Sequence, residues 1–456
     1  MTSISRRHFH HMAMSAGAAA ALGMFGRGVA YGAPGSGFRA MVGVFLFGGN
    51  DGWNMLVPTD PAAYSAYVAS RQTVALPPSA VVPLAGSGLG LHQAMASLAP
   101  IWDAGAMALV LNAGTLAAPL TKATFVSRPD LRPSNLMSHS DEQEHWQGLR
   151  AQGVNRDGFM GRLHDRMGAG SGVPPVISFA GNNVALIGQQ AQPLVLPSRT
   201  VLTRADSGNP AIEAAVSSFA GGTGLGDDVT QSTAETLKDA YAMTAATSAV
   251  LSATGSVEAF FVNPSTGAAL TSEVAMQLKR VARMIEARST FGHGRQSFFV
   301  SQGGYDTHDN QVTGGNVAAG THANLLGDLA LALAAFYKAM QSLGLQDNVT
   351  TFTMSDFGRT YRGNAQFGSD HAWGNNHLVI GGGVTPKGVF GRYPDPTLGG
   401  ADDISNEGRF LPTMAQEEYL GAILKWHGVA DGDMPYVVPN WGTWSTNGRG
   451  PIGLYG

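Results

Sequence analysis

Six short apolar runs along the chain have the pattern of strands that are buried on both faces. Almost every position in them is hydrophobic, whereas a strand with one wet face alternates hydrophobic and polar residues. The runs are Met41–Gly49, Met107–Gly114, Val176–Gly181, Ser297–Gly304, Val349–Asp356 and His377–Gly383. Each ends in Gly or Asp, residue types that commonly mark the change from strand to loop.

Helical spacing of apolar residues separates these runs. We predict helices over Thr233–Thr254, Ser272–Arg288, His322–Leu343 and about Met414–Trp426, and a loop or inserted surface segment over the Gly/Ser/Thr-rich stretch Ser217–Ser232. The clearest helix is the third, whose one face carries Leu325, Leu329, Leu333, Phe336 and Met340. Strands that alternate with helices predict an α/β fold with a mostly parallel central sheet and helices on both faces.

The N-terminal segment has the features of an export signal. Arg6 and Arg7 precede an apolar, Ala-rich stretch from about Met12 to Phe25, and small residues follow at Ala30–Ala33. This order is typical of a twin-arginine signal peptide, so we predict that residues 1–33 are the signal and 34–456 a single domain. The protein would then be periplasmic or secreted, with the twin-arginine translocase as its partner during export.

The same segment is too short and too rich in Gly and Ala to be a comfortable membrane anchor, and we expect a chain that does not span a membrane. The formal net charge is −4 and no long basic run occurs, which excludes electrostatic support for a nucleic-acid partner. The chain has no cysteine, which excludes disulfides, thiolate catalysis and Cys-based zinc sites. Any metal ion must therefore be bound by His, Asp, Glu, hydroxyl or backbone ligands.

Polar residues concentrate where the predicted strands end, which is where sites form in open α/β sheets. They are Asp51 after the first run, Asp306 and His308 after the fourth, Asp356 and Arg359 after the fifth, and His371 before the sixth. Carboxylates and imidazoles that meet at one edge of a sheet would suit one or two divalent ions, such as zinc, manganese or calcium.

Each of these residues also has a structural interpretation. An aspartate after a strand often only caps a turn or helix, and Arg359 could cap the sheet or clamp a substrate oxygen in bidentate fashion. Ser138 begins a predicted helix. It could be the N-cap of that helix or a nucleophile, since free backbone N–H groups favour an oxyanion there. Ser140 with Gln143 matches a capping box, and His139 could be a base, a ligand or a solvated side chain.

Several long phrases in a fixed order resemble one bacterial family. They are FLFGGNDGWNMLVP, MSHSDEQEHW, GGYDTHDNQ, TMSDFGRT and SDHAWGNNHLVIGGGV, between about Ala40 and about Pro394. They are similar to the family known as "domain of unknown function 1501", which in turn resembles the alkaline phosphatase superfamily with its sulfatases and cofactor-independent phosphoglycerate mutases. The resemblance implies an alkaline-phosphatase-like fold.

The resemblance also implies roles for individual residues. Metal ligands would be Asp51, the pair Asp306 and His308, Asp356 and His371, and the nucleophile would be Ser138, with Ser140 as the competitor. The chain departs from the superfamily pattern in having Phe357 where a His is usual and in the short spacing of Asp306 and His308. The sequence around Ser138 also lacks the formylglycine-forming context of sulfatases. These departures imply that one of two metal sites is altered or absent.

The leading functional hypothesis is therefore a metal-dependent hydrolase or transferase acting on phosphate or sulfate esters of small molecules or polysaccharides. The main alternative is a non-catalytic binding protein of the cell envelope on the same fold. A third, weaker possibility is a structural role without a cofactor.

Overall fold

The computed structural model describes residues 37–168, 172–203, 208–222, 226–446 and 449–456. The predicted twin-arginine signal at residues 1–33 lies outside these ranges. The division of the chain into a signal and one domain from residue 34 therefore stays a prediction.

A nine-stranded mixed sheet forms the centre of the protein. Across the sheet the strands are β11 (Val389–Gly391), β5 (Met107–Gly114), β10 (Asn375–Gly381), β9 (Val349–Ser355), β1 (Arg39–Leu46), β8 (Arg295–Gln302), β6 (Val176–Ser178) and β7 (Leu194–Val195), with β12 (Met414–Ala415) also paired to β5. Most neighbouring pairs are parallel, and β10 is antiparallel to both β5 and β9. The predicted mostly parallel sheet is confirmed.

A small antiparallel sheet of β2 (Leu56–Pro58), β4 (Leu89–His92) and β3 (Val81–Leu84) accompanies the large one. The α-helices are α1 (Gly52–Met55), α2 (Pro61–Arg71), α3 (Ala99–Asp103), α4 (Lys122–Ser127), α5 (His139–Gly148), α6 (Phe159–Met167), α7 (Pro210–Ala220), α8 (Asp228–Ser252), α9 (Glu273–Glu286), α10 (Arg288–Phe291), α11 (Thr321–Ser342), α12 (Gln416–His427), α13 (Met434–Val437) and α14 (Trp441–Trp444).

The core lies on both faces of the large sheet, because successive side chains of a strand point to opposite sides. In β1, Val42 and Val44 pack into a cluster with residues of α9 and α11. Met41 and Phe45 pack on the other face, with residues of α5, α6 and α12. A strand covered on both sides needs apolar residues at nearly every position, which explains the continuous runs in the sequence.

Helix α11 is the one helix among the described residues that is long and apolar enough to cross a membrane by length and composition. Within its most apolar stretch, 67% of the residues are buried inside the protein. Its apolar side chains pack against the central sheet and α9, so these properties are those of a core helix.

The predicted loop over Ser217–Ser232 is wrong for most of its length. Helix α7 continues to Ala220 and α8 already begins at Asp228, with an N-cap carboxylate from Asp227 that accepts from the Thr230 amide at 2.8 Å. Composition misled the prediction, because Ser, Thr and Asp favour helix caps as well as loops. The small sheet and strands β7, β11 and β12 were not predicted, since runs of two to four residues give too little pattern.

The reversed direction of β10 determines where the polar loops meet. Strands β1, β8 and β9 run parallel and end at one edge of the sheet. Because β10 is antiparallel to β9, the residues that precede it lie at that same edge. A loop before a strand and loops after other strands are thereby brought together.

Candidate metal centre

Four side chains from three separate segments form a cluster at this edge of the sheet. Asp306 and His308 come from the loop after β8, His371 from the loop before β10, and His139 is the first residue of α5. We call these four residues the His/Asp cluster. It is partly open to solvent, since the side chains of Asp306 and His308 are 48% and 47% exposed.

The three imidazole rings surround one carboxylate oxygen. Oδ1 of Asp306 lies 3.1 Å from Nε2 of His308, 3.4 Å from Nε2 of His371 and 3.5 Å from Nε2 of His139. His139, Asp306 and His371 together offer ligand atoms that lie within 4.8 Å of one another. Among the described residues, this is the group of histidine and carboxylate side chains with the spacing of a metal site.

Each ring is oriented through its other nitrogen. Nδ1 of His139 lies 2.7 Å from Oδ2 of Asp356, and Nδ1 of His308 lies 2.8 Å from Oδ1 of Asp370. Nδ1 of His371 lies 2.9 Å from the carbonyl oxygen of Met137. Carboxylates and carbonyls only accept, so Nδ1 carries a proton in all three rings, and in the neutral form of each ring Nε2 presents a lone pair. This is the tautomer and the supporting arrangement that metal-bound histidines have.

Two observations indicate that these Nε2 lone pairs are suited to bind a cation. Nε2 of His308 and Nε2 of His371 face each other at 3.0 Å, although the Nδ1 bonds leave neither of them a proton to share. Nε2 of His139 is buried and has no hydrogen-bond partner. Imidazole nitrogen and carboxylate oxygen are ligands that suit zinc and related divalent ions, so the donor set fits a metal ion.

The electrostatics of the cluster favour an ionised Asp306 and act in opposite directions on the rings of His139 and His371. Partial burial would raise the pKa of Asp306, but its hydrogen bond and charge interaction with Arg359 outweigh this and lower that pKa. Burial lowers the pKa of His371, which favours the neutral ring. The hydrogen bond to Asp356 raises the pKa of His139.

Phe357 closes one side of the cluster. Its ring centroid is 4.8 Å from that of His139 and 4.7 Å from that of His371, and the side chain is buried. Phe357 thus forms an apolar wall against two of the rings.

Asp356 lies behind the cluster and not in it. Its Oδ2 accepts from His139 and from Nε2 of Gln143 at 2.9 Å, and the amide of Gly48 approaches both oxygens at 3.2 Å. The residue is fully buried. These contacts favour a role in orienting His139 over the predicted role as a metal ligand.

The structure does not bring Asp51 into the cluster. Its carboxylate is fully buried, forms an ion pair with Arg71, accepts from Gln311 and caps α1 through the amides of Trp53 and Asn54. The capping interpretation of Asp51 therefore describes the observed contacts, and they argue against metal binding because protein donors already occupy both oxygens.

The contacts of Arg359 favour its sheet-capping interpretation over a clamp on a substrate oxygen. The guanidinium is buried and donates to the carbonyl oxygens of Gly48, Gly49, Tyr305 and Ser369 and to Oδ1 of Asp306. A planar group with several N–H donors satisfies many carbonyls at once, and here it ties the loops that follow β1 and β8. The same guanidinium also holds Asp306 in place.

Ser138 occupies the N-cap position of α5 but does not cap the helix with its side chain. Its Oγ donates to Oδ2 of Asp141 at 2.6 Å and lies 3.2 Å from Oγ of Ser140. The capping box expected of Ser140 and Gln143 is absent from α5, because Gln143 reaches Asp356 instead. Ser138 is joined to the cluster through its chain neighbours Met137 and His139.

A family comparison supports the sequence resemblance. The family model "Protein of unknown function (DUF1501)" matches residues 39–415, which is most of the chain. The chain belongs to the DUF1501 family. A search of curated proteins found no match.

Solved structures that this DUF1501 protein resembles have very low sequence identity. One is a protein in the alkaline phosphatase superfamily from Vibrio parahaemolyticus, with 10% identity, a TM-score of 0.37 and coverage of 92% of this chain and 76% of that one. Another is the soluble domain of lipooligosaccharide phosphoethanolamine transferase A from Neisseria meningitidis, with 10% identity, a TM-score of 0.34 and coverage of 90% and 95%.

A third is a sulfatase from Pseudoalteromonas sp., with 9% identity, a TM-score of 0.33 and coverage of 94% of this chain and 73% of that one. TM-scores of this size carry no information on activity, which has to come from the geometry of the site.

Sequence reasoning missed part of the DUF1501 site. The sequence left His139 open as a base, a ligand or a solvated side chain and assigned Gln143 to a capping box, and Asp370 was not singled out. One signal was available: His139 and Gln143 are four residues apart and so share one face of a helix, where both contact Asp356. The contact between His308 and Asp370 spans 62 residues and has no such local signal.

Proposed function

We propose that this DUF1501 protein is an exported metal-dependent hydrolase or transferase of phosphate or sulfate esters, with the His/Asp cluster as its metal site. The observation that carries the proposal is the convergence of three Nδ1-anchored imidazoles on the Asp306 carboxylate at a solvent-accessible sheet edge. Such a constellation is costly to maintain without a cation, because lone pairs face one another.

The proposed ligands are Nε2 of His139, His308 and His371 and the carboxylate of Asp306. A divalent ion bound there would supply positive charge that neutralises ester oxygens and favours the ionised form of a nearby hydroxyl. Arg359 contributes by fixing Asp306, and Asp356 and Asp370 by fixing the rings of His139 and His308. The exposed side of the cluster leaves room for a small-molecule or polysaccharide ester.

Ser138 is the proposed nucleophile. Its hydroxyl already donates to Asp141, which is held by the amide of Asn135 at 2.8 Å and can accept the proton. Because Ser138 does not cap α5 with its side chain, the first-turn N–H groups remain suited to an anionic oxygen. Its chain neighbours Met137 and His139 contact the cluster, which supports Ser138 as the nucleophile.

The test is turnover of aryl phosphate and aryl sulfate esters by metal-loaded wild type, Ser138→Ala and Ser140→Ala. The two serines are matched neighbours whose side chains both contact Asp141. We expect Ser138→Ala to abolish turnover and Ser140→Ala to retain most of it. The opposite order would identify Ser140 as the nucleophile. A metal-loaded wild type that turns over no ester of a broad panel would refute the proposed enzyme activity.

Export is a separate part of the proposal and is supported by Arg6-Arg7 ahead of the apolar segment. Replacement of both residues by Lys should leave the protein in the cytoplasm, measured by cell fractionation. Unchanged accumulation outside the cytoplasm would refute the twin-arginine route.

A second candidate function, a non-catalytic envelope binding protein, is favoured by one observation. Arg359, the residue expected to clamp an ester oxygen, is committed to backbone carbonyls and Asp306. The two candidates differ in turnover and not in metal content, so a metal-loaded protein that binds an ester without hydrolysing or transferring it would support the binding protein.

A further inference from the structure

We infer that the centre holds a single zinc-type ion, bound by donors of the His/Asp cluster, and that Asp51 and Asp356 bind no second ion. The inference rests on the metal site of the proposed function but not on any turnover. The sequence predicted one or two divalent ions, such as zinc, manganese or calcium. The inference reduces this prediction to a single ion of the zinc class.

The spacing of the donor atoms is that of ligands around one small ion. Two ligands of a tetrahedral zinc with bonds of about 2.0–2.1 Å lie about 3.3 Å apart. In the cluster, the Asp306 oxygen is 3.1, 3.4 and 3.5 Å from the three Nε2 atoms, and the Nε2 atoms of His308 and His371 are 3.0 Å apart. These distances match neighbouring ligands of one small ion, and the donor atoms of His139, Asp306 and His371 all lie within 4.8 Å of one another.

The composition of the donor set determines the class of ion. Three of the four donors are imidazole nitrogens, which suit zinc and cobalt, whereas calcium and magnesium take oxygen ligands almost exclusively. The cluster offers one carboxylate, Asp306, and calcium would need several more oxygens. Asp370 does not supply one, because its Oδ1 accepts from Nδ1 of His308.

A second ion would need Asp356, and that carboxylate already accepts from several protein donors. It accepts from the His139 ring, the Gln143 amide and the Gly48 backbone, and it is fully buried. An ion on Asp356 would displace the hydrogen bond that fixes the tautomer of His139, and so would weaken the first site. The apolar ring of Phe357 closes the cluster beside His139 and His371 and offers no ligand.

Asp51 is equally unavailable. Arg71 balances its charge inside the protein, and Gln311, Trp53 and Asn54 donate to its oxygens. A divalent ion there would face the buried guanidinium of Arg71 without any access to solvent. Asp306 is also paired with a buried guanidinium, that of Arg359, but its side chain is 48% exposed. Asp51 is a neutralised structural carboxylate, so it contributes no ligand.

The first experiment measures the metal content of the metal-free full-length protein after separate equilibrium dialysis against zinc, cobalt, calcium and magnesium. We expect one zinc or one cobalt per chain and no calcium or magnesium above the level of the buffer. Two zinc ions per chain, no bound metal, or stoichiometric calcium would each overturn the inference. Cobalt should also give the strong visible absorption of a four-coordinate site, and the weak spectrum of a six-coordinate site would contradict the ligand set.

The second experiment assigns the ligands by zinc titration of variants. His139→Ala and His371→Ala should each lower zinc affinity by tenfold or more. His293→Gln is the matched control: it removes an imidazole at the other end of β8, an eight-residue strand of about 26 Å. Equal affinities for the control and the cluster variants would refute the assignment.

Asp51→Asn tests the absence of the second ion, and it should still bind one zinc with wild-type affinity. A loss of zinc binding by a folded Asp51→Asn protein would show that Asp51 is a ligand. If this variant does not fold, the wild-type stoichiometry decides alone. A protein that binds one zinc but turns over no ester would refute the proposed enzyme and leave this inference standing.

Discussion

Two groups of charged residues lie at the same edge of the central sheet and differ in what surrounds them. The buried network consists of Asp51, Arg71 and Gln311, all fully buried, with the carboxylate charge balanced by the guanidinium. The His/Asp cluster is partly exposed, and its three Nε2 atoms point at one another and at Asp306. Both contain an aspartate that follows a buried strand.

The partners of the carboxylate oxygens distinguish a structural aspartate from a candidate metal ligand in such a sheet. The oxygens of Asp51 are fully used by the protein, so that residue stabilises the folded state. Asp306 receives one strong donor, Arg359, and otherwise faces nitrogen lone pairs that need a cation. Gln311 links the two groups, since it donates to Asp51 and accepts from Thr307 and Ser369 in the loops that carry His308 and His371.

The largest stability effect is expected from Arg71→Met. It leaves the buried Asp51 charge uncompensated, and removal of one partner of a buried ion pair costs about 3–5 kcal/mol of unfolding free energy. Adding Asp51→Asn to this variant should recover more than half of the loss, measured by denaturant unfolding of the metal-free proteins. No recovery would mean that the charge of Asp51 is not what Arg71 neutralises.

Arg359→Lys should have the next largest effect, a loss of about 2–3 kcal/mol, because an ammonium cannot reach the backbone carbonyls that the guanidinium satisfies. It should also weaken zinc binding, since Asp306 loses its fixed donor. An Arg359→Lys variant with wild-type stability and zinc affinity would show that Arg359 does not support the metal site.

His308→Ala should change the stability of the metal-free protein by less than about 1 kcal/mol, because the ring is nearly half exposed. The same change should remove the stabilisation that zinc gives to the wild type, measured as the zinc-dependent shift in Tm. A large loss of stability in the absence of zinc would show that His308 stabilises the fold, as the residues of the buried network do, and is not specific to the metal site.

The smallest effect is a pair of opposite pH dependences in the metal-free protein. The pKa of His139 is raised by Asp356, so its contribution to stability is complete below pH 6.5 and is lost as the pH rises through the folded pKa. The pKa of His371 is lowered by burial, so its contribution is complete above pH 6.5 and is lost as the pH falls.

Proton NMR titration of the two rings is the measurement, with His139→Gln and His371→Gln to assign the signals. Solvent screening of these partly exposed rings keeps the energies small. Titration of both rings on the same side of 6.5 would contradict the two environments.

Much of the fold could be predicted because the central strands are covered on both faces. Burial makes β5 a nearly continuous apolar run, and the predicted run Met107–Gly114 coincides with it. The amphipathic face of α11 was visible for the same reason. The short strands of the small sheet have no such pattern, and their pairing depends on contacts between residues distant in the chain.

The site could be predicted in part. Asp306, His308 and His371 were identified because polar residues stand out after or before apolar strands, and the structure brings them into contact. Asp51 and Asp356 have the same sequence signal but different surroundings. Arg71 and Gln311, which decide the role of Asp51, are 20 and 260 residues away along the chain, so nothing adjacent to Asp51 reveals its role.

The sequence by itself determined the family and the strands and helices of the core. Burial and local spacing produce patterns of apolar positions in consecutive residues, and these patterns can be recognised without the structure. The sequence also determined which polar residues stand at strand ends. Only the tertiary structure decided which of them meet, since the reversed direction of β10 and the start of α5 bring His371 and His139 to Asp306. The physical reason is that a carboxylate is defined by its partners: donors from distant segments neutralise Asp51 and leave Asp306 facing three lone pairs.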